Sequence, residues 1–265
     1  MRPPVALSVA GSDPSGGAGV QADLKTFLCH GVYGMAALTA LTAQDTRGVY
    51  GVQHVDPSFV AAQITAALDD IPAGAVKIGM IATAPIAEAV AAALAGRGLP
   101  VVLDPVMIST SGHRLIDAAA EAALLGALLP LACLLTPNLP EAAALLGDAA
   151  PQAFVDRRGV ALLLKDGHGH EDTVQDVLYL PGSAPQRHSH PRVRTANTHG
   201  TGCTLSAAVA ARLARGEALP EAVGGAIAWL SALIQGGTEA GLGRGHGPLL
   251  HGLLGGQPGG APRRA

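Results

Sequence analysis

The chain has 265 residues, of which 49% are hydrophobic, 14% charged and 3% aromatic, and its formal net charge is −3. This composition excludes a disordered protein, supplies one domain with a substantial core, and leaves no basic footprint for nucleic acid, so a small-molecule ligand is expected. The cysteines at 29, 133 and 203 form no CxxC pair, the first apolar run is too short for a signal peptide and no stretch is long enough to span a bilayer, so a cytoplasmic location is expected.

Short apolar runs alternate with longer Ala-rich segments. The runs VALSVA (5–10), MAALTALTA (35–43), AVKIG (75–79), VVLD (101–104), CLLT (133–136) and VALLLK (160–165) each predict a buried strand. Between them lie helices with recognisable ends. Asp56-Pro57 opens SFVAAQITAALDDI as N-cap and first helical position, and Asn138-Leu139-Pro140-Glu141 opens a helix that closes on Gly147. The alternation predicts a mostly parallel sheet with helices on both faces, and ligands of such sheets gather at the carboxyl ends of the strands.

The segments at those ends carry the chemistry. After the first strand, AGSDPSGGAGVQADLKTF places Gly16, Gly17 and Gly19 before a helix bearing Asp23 and Lys25. It is either an anion cradle or a flexible strand-to-helix turn, and it matches neither the dinucleotide fingerprint nor a Walker A loop. Asp104 stands at the tip of VVLD, with Asn138 and Glu141 just past CLLT. Carboxylates so placed can meet at a Mg²⁺, although helix capping alone also selects a glutamate at 141. Lys165, ahead of Asp166-Gly167-His168-Gly169, is either a phosphate ligand or a solvated strand end. The segments 173–182 and 185–193 read as a late antiparallel hairpin. His168, His170, His188 and His190 are spaced in twos without acidic or Cys partners in sequence, so they are read as surface histidines rather than a zinc site.

Residues 197–206, NTHGTGCTLS, put Gly200, Thr201, Gly202 and Cys203 at the start of a predicted helix over 204–216. Glycines there bring free amides to a ligand and the helix dipole favours negative charge, which makes an anion site. A cysteine at that corner is expected to have a lowered thiol pKa and to serve as base or nucleophile, whereas Cys29 and Cys133 fit apolar packing. Past Gly241 the chain turns Gly-rich, and residues 243–265 read as a partly disordered tail on a domain covering 1–242.

Six segments in order, AGSDPSGGAGVQADLKTF, TALTAQDTRGV, VKIGMIA, DPVMISTSG, TPNLPEAAALLG and NTHGTGCTLSAA, resemble the hydroxymethylpyrimidine/phosphomethylpyrimidine kinases of the ribokinase-like superfamily, from about residue 5 to about residue 235. The resemblance implies a three-layer α/β/α fold around a mostly parallel sheet, and ATP-dependent phosphorylation of 4-amino-5-hydroxymethyl-2-methylpyrimidine and then of its monophosphate, in thiamine biosynthesis. It implies that Gly11, Asp23, Gln44 and Met80 line the pyrimidine pocket, and that Gly200, Gly202 and Cys203 form the anion hole, with Cys203 where related sugar kinases carry an aspartate base. Asp104 and Glu141 would attend Mg²⁺ and its waters, and Asn138, Lys165 and Thr201 the nucleotide phosphates. A homodimer is implied too. The family commonly carries a lysine where this chain has Thr110, which bears on the second phosphorylation. A pyridoxal kinase of the same family and a non-catalytic nucleotide- or phosphate-binding protein are the alternatives; a redox role for Cys203 lacks a nearby resolving cysteine.

Overall fold

The computed structural model describes residues 2–107, 116, 118–166 and 172–252. In chain order the elements are β1 (Val5–Ser12), α1 (Gly19–Cys29), β2 (Tyr33–Gln44), β3 (Val49–His54), α2 (Pro57–Asp70), β4 (Ala75–Ile78), α3 (Ala84–Leu94), β5 (Val101–Leu103), α4 (Ala118–Ala123), β6 (Leu134–Leu135), α5 (Leu139–Leu146), α6 (Pro151–Arg158), β7 (Ala161–Leu164), β8 (Thr173–Tyr179), β9 (Gln186–Pro191), α7 (Thr201–Ala214) and α8 (Leu219–Gly236). The strands form one sheet in the order β3-β2-β1-β4-β5-β6-β7-β8-β9. β2, β1, β4, β5, β6 and β7 run parallel, while β3 pairs antiparallel with β2, and β8 and β9 continue antiparallel from β7.

Both sheet faces are covered, which is why the strands read as continuous apolar runs. Leu7, Val9, Val76, Ile78 and Leu103 face one layer, where Val60 and Ile64 of α2, Ile86 and Val90 of α3, and Phe154 of α6 pack on them. Their neighbours Ala6, Ala75, Val102, Leu134 and Leu163 face the other, against Phe27 of α1, the run Ala207–Ala211 of α7, and Val223 and Ile227 of α8. Ala207, Ala208, Ala210 and Ala211 of α7 are fully buried; small side chains let that helix lie close on the sheet. Helix ends follow the sequence signals. Asp56 accepts from the amides of Ser58 at 2.9 Å and Phe59 at 3.3 Å, and Asn138 and Glu141 close a reciprocal capping box.

Three features differ from expectation. β3 is not apparent in the sequence, because VYGVQH is half-buried at best along its whole length and offers no apolar alternation to read. α7 begins at Thr201 rather than 204, with Gly200 as its N-cap in the left-handed region, φ 81°. The segment assigned to a tail packs on the domain through residue 252: the His246 amide donates to the Thr46 carbonyl at 2.9 Å and the His199 amide to that of Gly247 at 3.0 Å. Leu249 is buried, and His251 Nε2 lies 2.9 Å from Thr204 Oγ1. Its composition forecast the lack of regular structure but not these backbone bonds. Residues 253–265, Thr110 and the pair His168 and His170 lie outside the described residues.

Candidate active site

The strand order reverses between β1 and β4, and at such a switch point the carboxyl ends of the strands frame a crevice. A cleft of about 630 Å³ lies there, within the range of roughly 300–1,000 Å³ that small-molecule sites occupy. On the face toward α1 and α7 the strands turn polar at these ends. Ser8 follows Ala6, Lys77 follows Ala75, Asp104 follows Val102, Thr136 follows Leu134 and Lys165 follows Leu163, each two residues on and so on the same side. The sheet thereby delivers a row of buried charges and hydroxyls under the start of α7.

One wall of the cleft is formed by Gly11, Gln44 and Met80. Met80 lies so close to Gly11 that a Cβ at 11 would stand 3.1 Å from its sulfur. Gln44 is half-buried at the end of β2, and its amide bonds no other described residue, leaving a donor and an acceptor to the cleft. The loop between β1 and α1 is organised by Asp13. That carboxylate accepts from the Ser15, Gly17 and Ala18 amides, from the Ser15 hydroxyl, and from His199 Nε2 at 2.8 Å. Burial pushes Asp13 up, but the His199 and Ser15 donors outweigh it and hold the carboxyl below its ordinary value.

Opposite lie Asp104, Asn138, Glu141 and Lys165. Asp104 Oδ1 accepts from Thr136 Oγ1 at 3.0 Å and Lys165 Nζ at 3.2 Å, and Oδ2 lies 3.2 Å from Ser206 Oγ on α7. Burial raises Asp104, but the Lys165 and Lys77 charges prevail and keep it ionised below its ordinary value. Burial raises Glu141 as well, and there the Lys165 charge does not compensate. Lys165 is only 13% exposed at its side chain, which rules out the solvated strand end. Burial disfavours its charge, but Asp104 and Glu141 restore it and lift its pKa.

Gly200, Thr201, Gly202 and Cys203 line the floor. A Cβ at Gly200 would collide with the Gly17 carbonyl, so its positive φ and the close approach of the two loops both require glycine. Among the described residues the Gly202 and Cys203 amides donate to no protein acceptor, as expected of a helix start that awaits an anion.

The sequence expectation for the thiol is overturned. Cys203 is pushed up to about 11, because burial outweighs the lowering effect of Lys77, and Asp23 and Asp104 add to the rise. Desolvation wins over the helix start. Asp23 needs correction too. It does not line the cleft: one turn along α1 from Gly19 it points at the sheet, fully buried, and both its oxygens lie 2.8–2.9 Å from Lys77 Nζ, with Ser8 Oγ at 2.6 Å. Every other residue expected at the site does line the cleft. Sequence reading missed Asp13, His199 and Lys77; the lysine inside the buried run AVKIG was a readable signal, since a buried charge needs a partner. It also missed that His190 Nε2 meets an acid, Asp176 Oδ2 at 3.5 Å, on the cleft wall formed by β8 and β9.

The model of the family described as phosphomethylpyrimidine kinase matches residues 13–250. A hydroxymethylpyrimidine/phosphomethylpyrimidine kinase of Rhizobium meliloti is 47% identical over 257 residues, covering 93% of this chain and 96% of the relative. Among solved structures, an ADP complex of Bacillus subtilis pyridoxal kinase superposes with a TM-score of 0.81 at 35% identity, covering 89% of this chain and 93% of that one. The phosphomethylpyrimidine kinase of Clostridium difficile 630 gives 0.73 at 37% identity, covering 87% and 99%. By sequence and by fold, the chain belongs to the phosphomethylpyrimidine kinase family.

Proposed function

We propose that this protein transfers the γ-phosphoryl group of ATP to the hydroxymethyl group of 4-amino-5-hydroxymethyl-2-methylpyrimidine and then to the phosphate of the product, supplying thiamine biosynthesis. One observation carries the reading. The unpartnered amides of Gly202 and Cys203 open on the same cleft as Gly11, Gln44 and Met80 on one side and Asn138, Asp104 and Lys165 on the other, so an acceptor and a phosphate donor meet over one anion hole.

In the first reaction the acceptor oxygen bonds to the γ-phosphorus while the bond from phosphorus to the β–γ bridging oxygen breaks, and ADP leaves with that electron pair. The hydroxyl proton passes to the Cys203 sulfur, the amides stabilise charge on the transferring group, and Lys165 steadies the phosphates. Burial pushes the thiol well above its ordinary value, so the thiolate is the minor form at pH 7 and this step should quicken as pH rises. Gln44 reads the ring edge and Met80 packs on its face. Asp104 and Glu141 fit Mg²⁺: Asp104 is already engaged by Thr136, Lys165 and Ser206, and the described residues hold no cluster of three ligating side chains. Such a sparse oxygen set suits an ion that keeps its waters and takes the rest of its shell from phosphates. Bound there, Mg²⁺ would neutralise phosphate charge.

The enzyme is read as a cytoplasmic homodimer. Its three cysteines are free, which suits a reducing compartment, and Leu41 and Tyr50 stand 47% and 65% exposed on β2 and the edge strand β3, an apolar pair suited to burial between subunits. Purified protein with ATP, Mg²⁺ and, separately, the pyrimidine alcohol, its monophosphate and pyridoxal tests the reading. Turnover of both pyrimidines with kcat/KM above that for pyridoxal is the expected result. Preference for pyridoxal, or no turnover at all, overturns it.

A further inference from the structure

β8 pairs with β7 in the register Leu163 to Leu178 and Leu164 to Val177, which sets Asp176 across from Lys165. There the regular ladder stops, and side chains of the hairpin hold the peptide that follows Lys165. The Asp166 amide donates to Asp176 Oδ1 at 3.0 Å, and Arg192 Nη2 donates to the Asp166 carbonyl at 3.2 Å. From the opposite neighbour, the Pro137 carbonyl accepts from the Lys165 amide at 3.0 Å. The backbone that carries Lys165 is therefore gripped from both sides. Its ammonium needs that precision: it meets Asp104 Oδ1 at 3.2 Å and stands 3.6 Å from where a Cβ on Gly202 would be, directly beside the anion hole. Asp176 is only 5% exposed, and a carboxylate so placed persists where its oxygens are served. Its Oδ2 faces His190 Nε2 at 3.5 Å, so each oxygen has a nitrogen beside it in a cleft where a bare carboxylate would repel phosphates.

On the reading that Lys165 steadies the nucleotide phosphates, we infer that Asp176 is a positioning residue of the transfer reaction. By fixing the peptide after Lys165 it sets where the ammonium stands beside the anion hole, and it acts on the nucleotide through that lysine alone. A lysine head sits on a flexible four-carbon stem, so its place depends on what anchors each end. Asp104 holds the head and Asp176 the backbone. Misplacing a group at a reacting centre by about 1 Å is enough to lose most of its effect.

The test is a cycle of wild type, Asp176→Ala, Lys165→Met and the double variant, with Asp176→Asn beside them because its side-chain oxygen can still accept from the Asp166 amide. Asp176→Val, which suits a buried strand position, replaces the alanine variant should that fail to fold. ATP and the pyrimidine alcohol are each titrated for KM and kcat, and melting curves report the fold. Asp176→Ala should raise the KM for ATP roughly five- to thirtyfold, the worth of a hydrogen bond to a charged group. The KM for the pyrimidine should stay within about twofold. Asp176→Asn should return the KM for ATP to within about threefold of wild type. In the Lys165→Met background the alanine should cost less than about twofold more, because the lysine it acts through has gone. An unmoved KM for ATP in Asp176→Ala overturns the inference, as do losses that multiply in full in the double variant or an asparagine variant no better than the alanine. Failure of the phosphate reading looks different and takes the inference with it: Lys165→Met itself leaves the KM for ATP unchanged.

Discussion

His199 and Asp13, 186 positions apart in sequence, meet at 2.8 Å and join the loop after β1 to the start of α7. The carboxylate that receives His199 also receives three amides of that loop, so one side chain fixes the loop after β1 against the helix start across the cleft. Replacing His199 by Gln should therefore raise the KM for acceptor and for ATP together. A charge-assisted hydrogen bond is worth about 1.5–3 kcal/mol, which puts the combined loss in kcat/KM at roughly ten- to a hundredfold. Steady-state kinetics varying each substrate checks it, and a change in only one KM would show that the two loops are not coupled through this contact.

The same carboxylate sets a pH dependence of stability. Asp13 is depressed in the fold, so its contribution is present above the unfolded value of about 3.9 and disappears as pH falls through the folded value. Asp13→Asn should lower the melting temperature at pH 7, and the difference from wild type should close as pH is taken below 4. Thermal denaturation across that range measures it. A difference that persists unchanged into strong acid would assign the loss to geometry rather than charge.

Gly200 offers a steric test. An alanine there must hold φ near 81° and push its Cβ into the Gly17 carbonyl. The left-handed backbone alone costs about 1–2 kcal/mol, and shifting Gly17 adds to it. Gly200→Ala should melt at least about 2 °C lower and lose both phosphorylation activities, since Gly17 and the free amides move together. Wild-type melting with wild-type rates would mean that the two loops have slack that the close approach denies.

Much of this architecture is legible in the chain. The six apolar runs all became strands, and Asp56-Pro57 and Asn138 through Glu141 became caps because capping is local chemistry. The lining of the cleft was legible to the same depth: residues at strand ends and at the helix start come together there because their positions along the chain imply their positions in space. What failed needed a direction or an environment. Asp23 follows a glycine-rich loop and so looks ligand-facing, yet the turn of α1 aims it at β4. Cys203 stands at a helix start, yet the burial that outweighs the dipole comes from elements distant in sequence. The contact of His199 with Asp13 is likewise invisible to any local rule.

Gln44 should decide which ring is accepted. Its amide meets no described protein partner, so its hydrogen bonds are available to the acceptor, and an unmade buried hydrogen bond costs about 1–3 kcal/mol. Gln44→Leu should raise the KM for the pyrimidine by roughly five- to a hundredfold and leave that for ATP unchanged. Unaltered acceptor KM would place the ring elsewhere in the cleft.

Cys203→Ala separates proton transfer from packing. The alcohol must lose a proton as it attacks, whereas the monophosphate has a second pKa of about 6 and is ionised at neutral pH. The substitution leaves the backbone amides at 202 and 203 in place, so it should slow alcohol phosphorylation by roughly 10²–10⁴-fold, the usual worth of a general base, and slow the second phosphorylation far less. Because burial pushes the thiol up to about 11, the wild-type alcohol rate should climb with pH throughout the neutral range while the variant's residual rate stays flat. Rates for both acceptors, measured from pH 6 to 10 beside melting curves, give the answer. Equal losses for both acceptors together with a lowered melting temperature would make Cys203 a packing residue, and the proton of the first reaction would then have to leave by another group on the cleft wall.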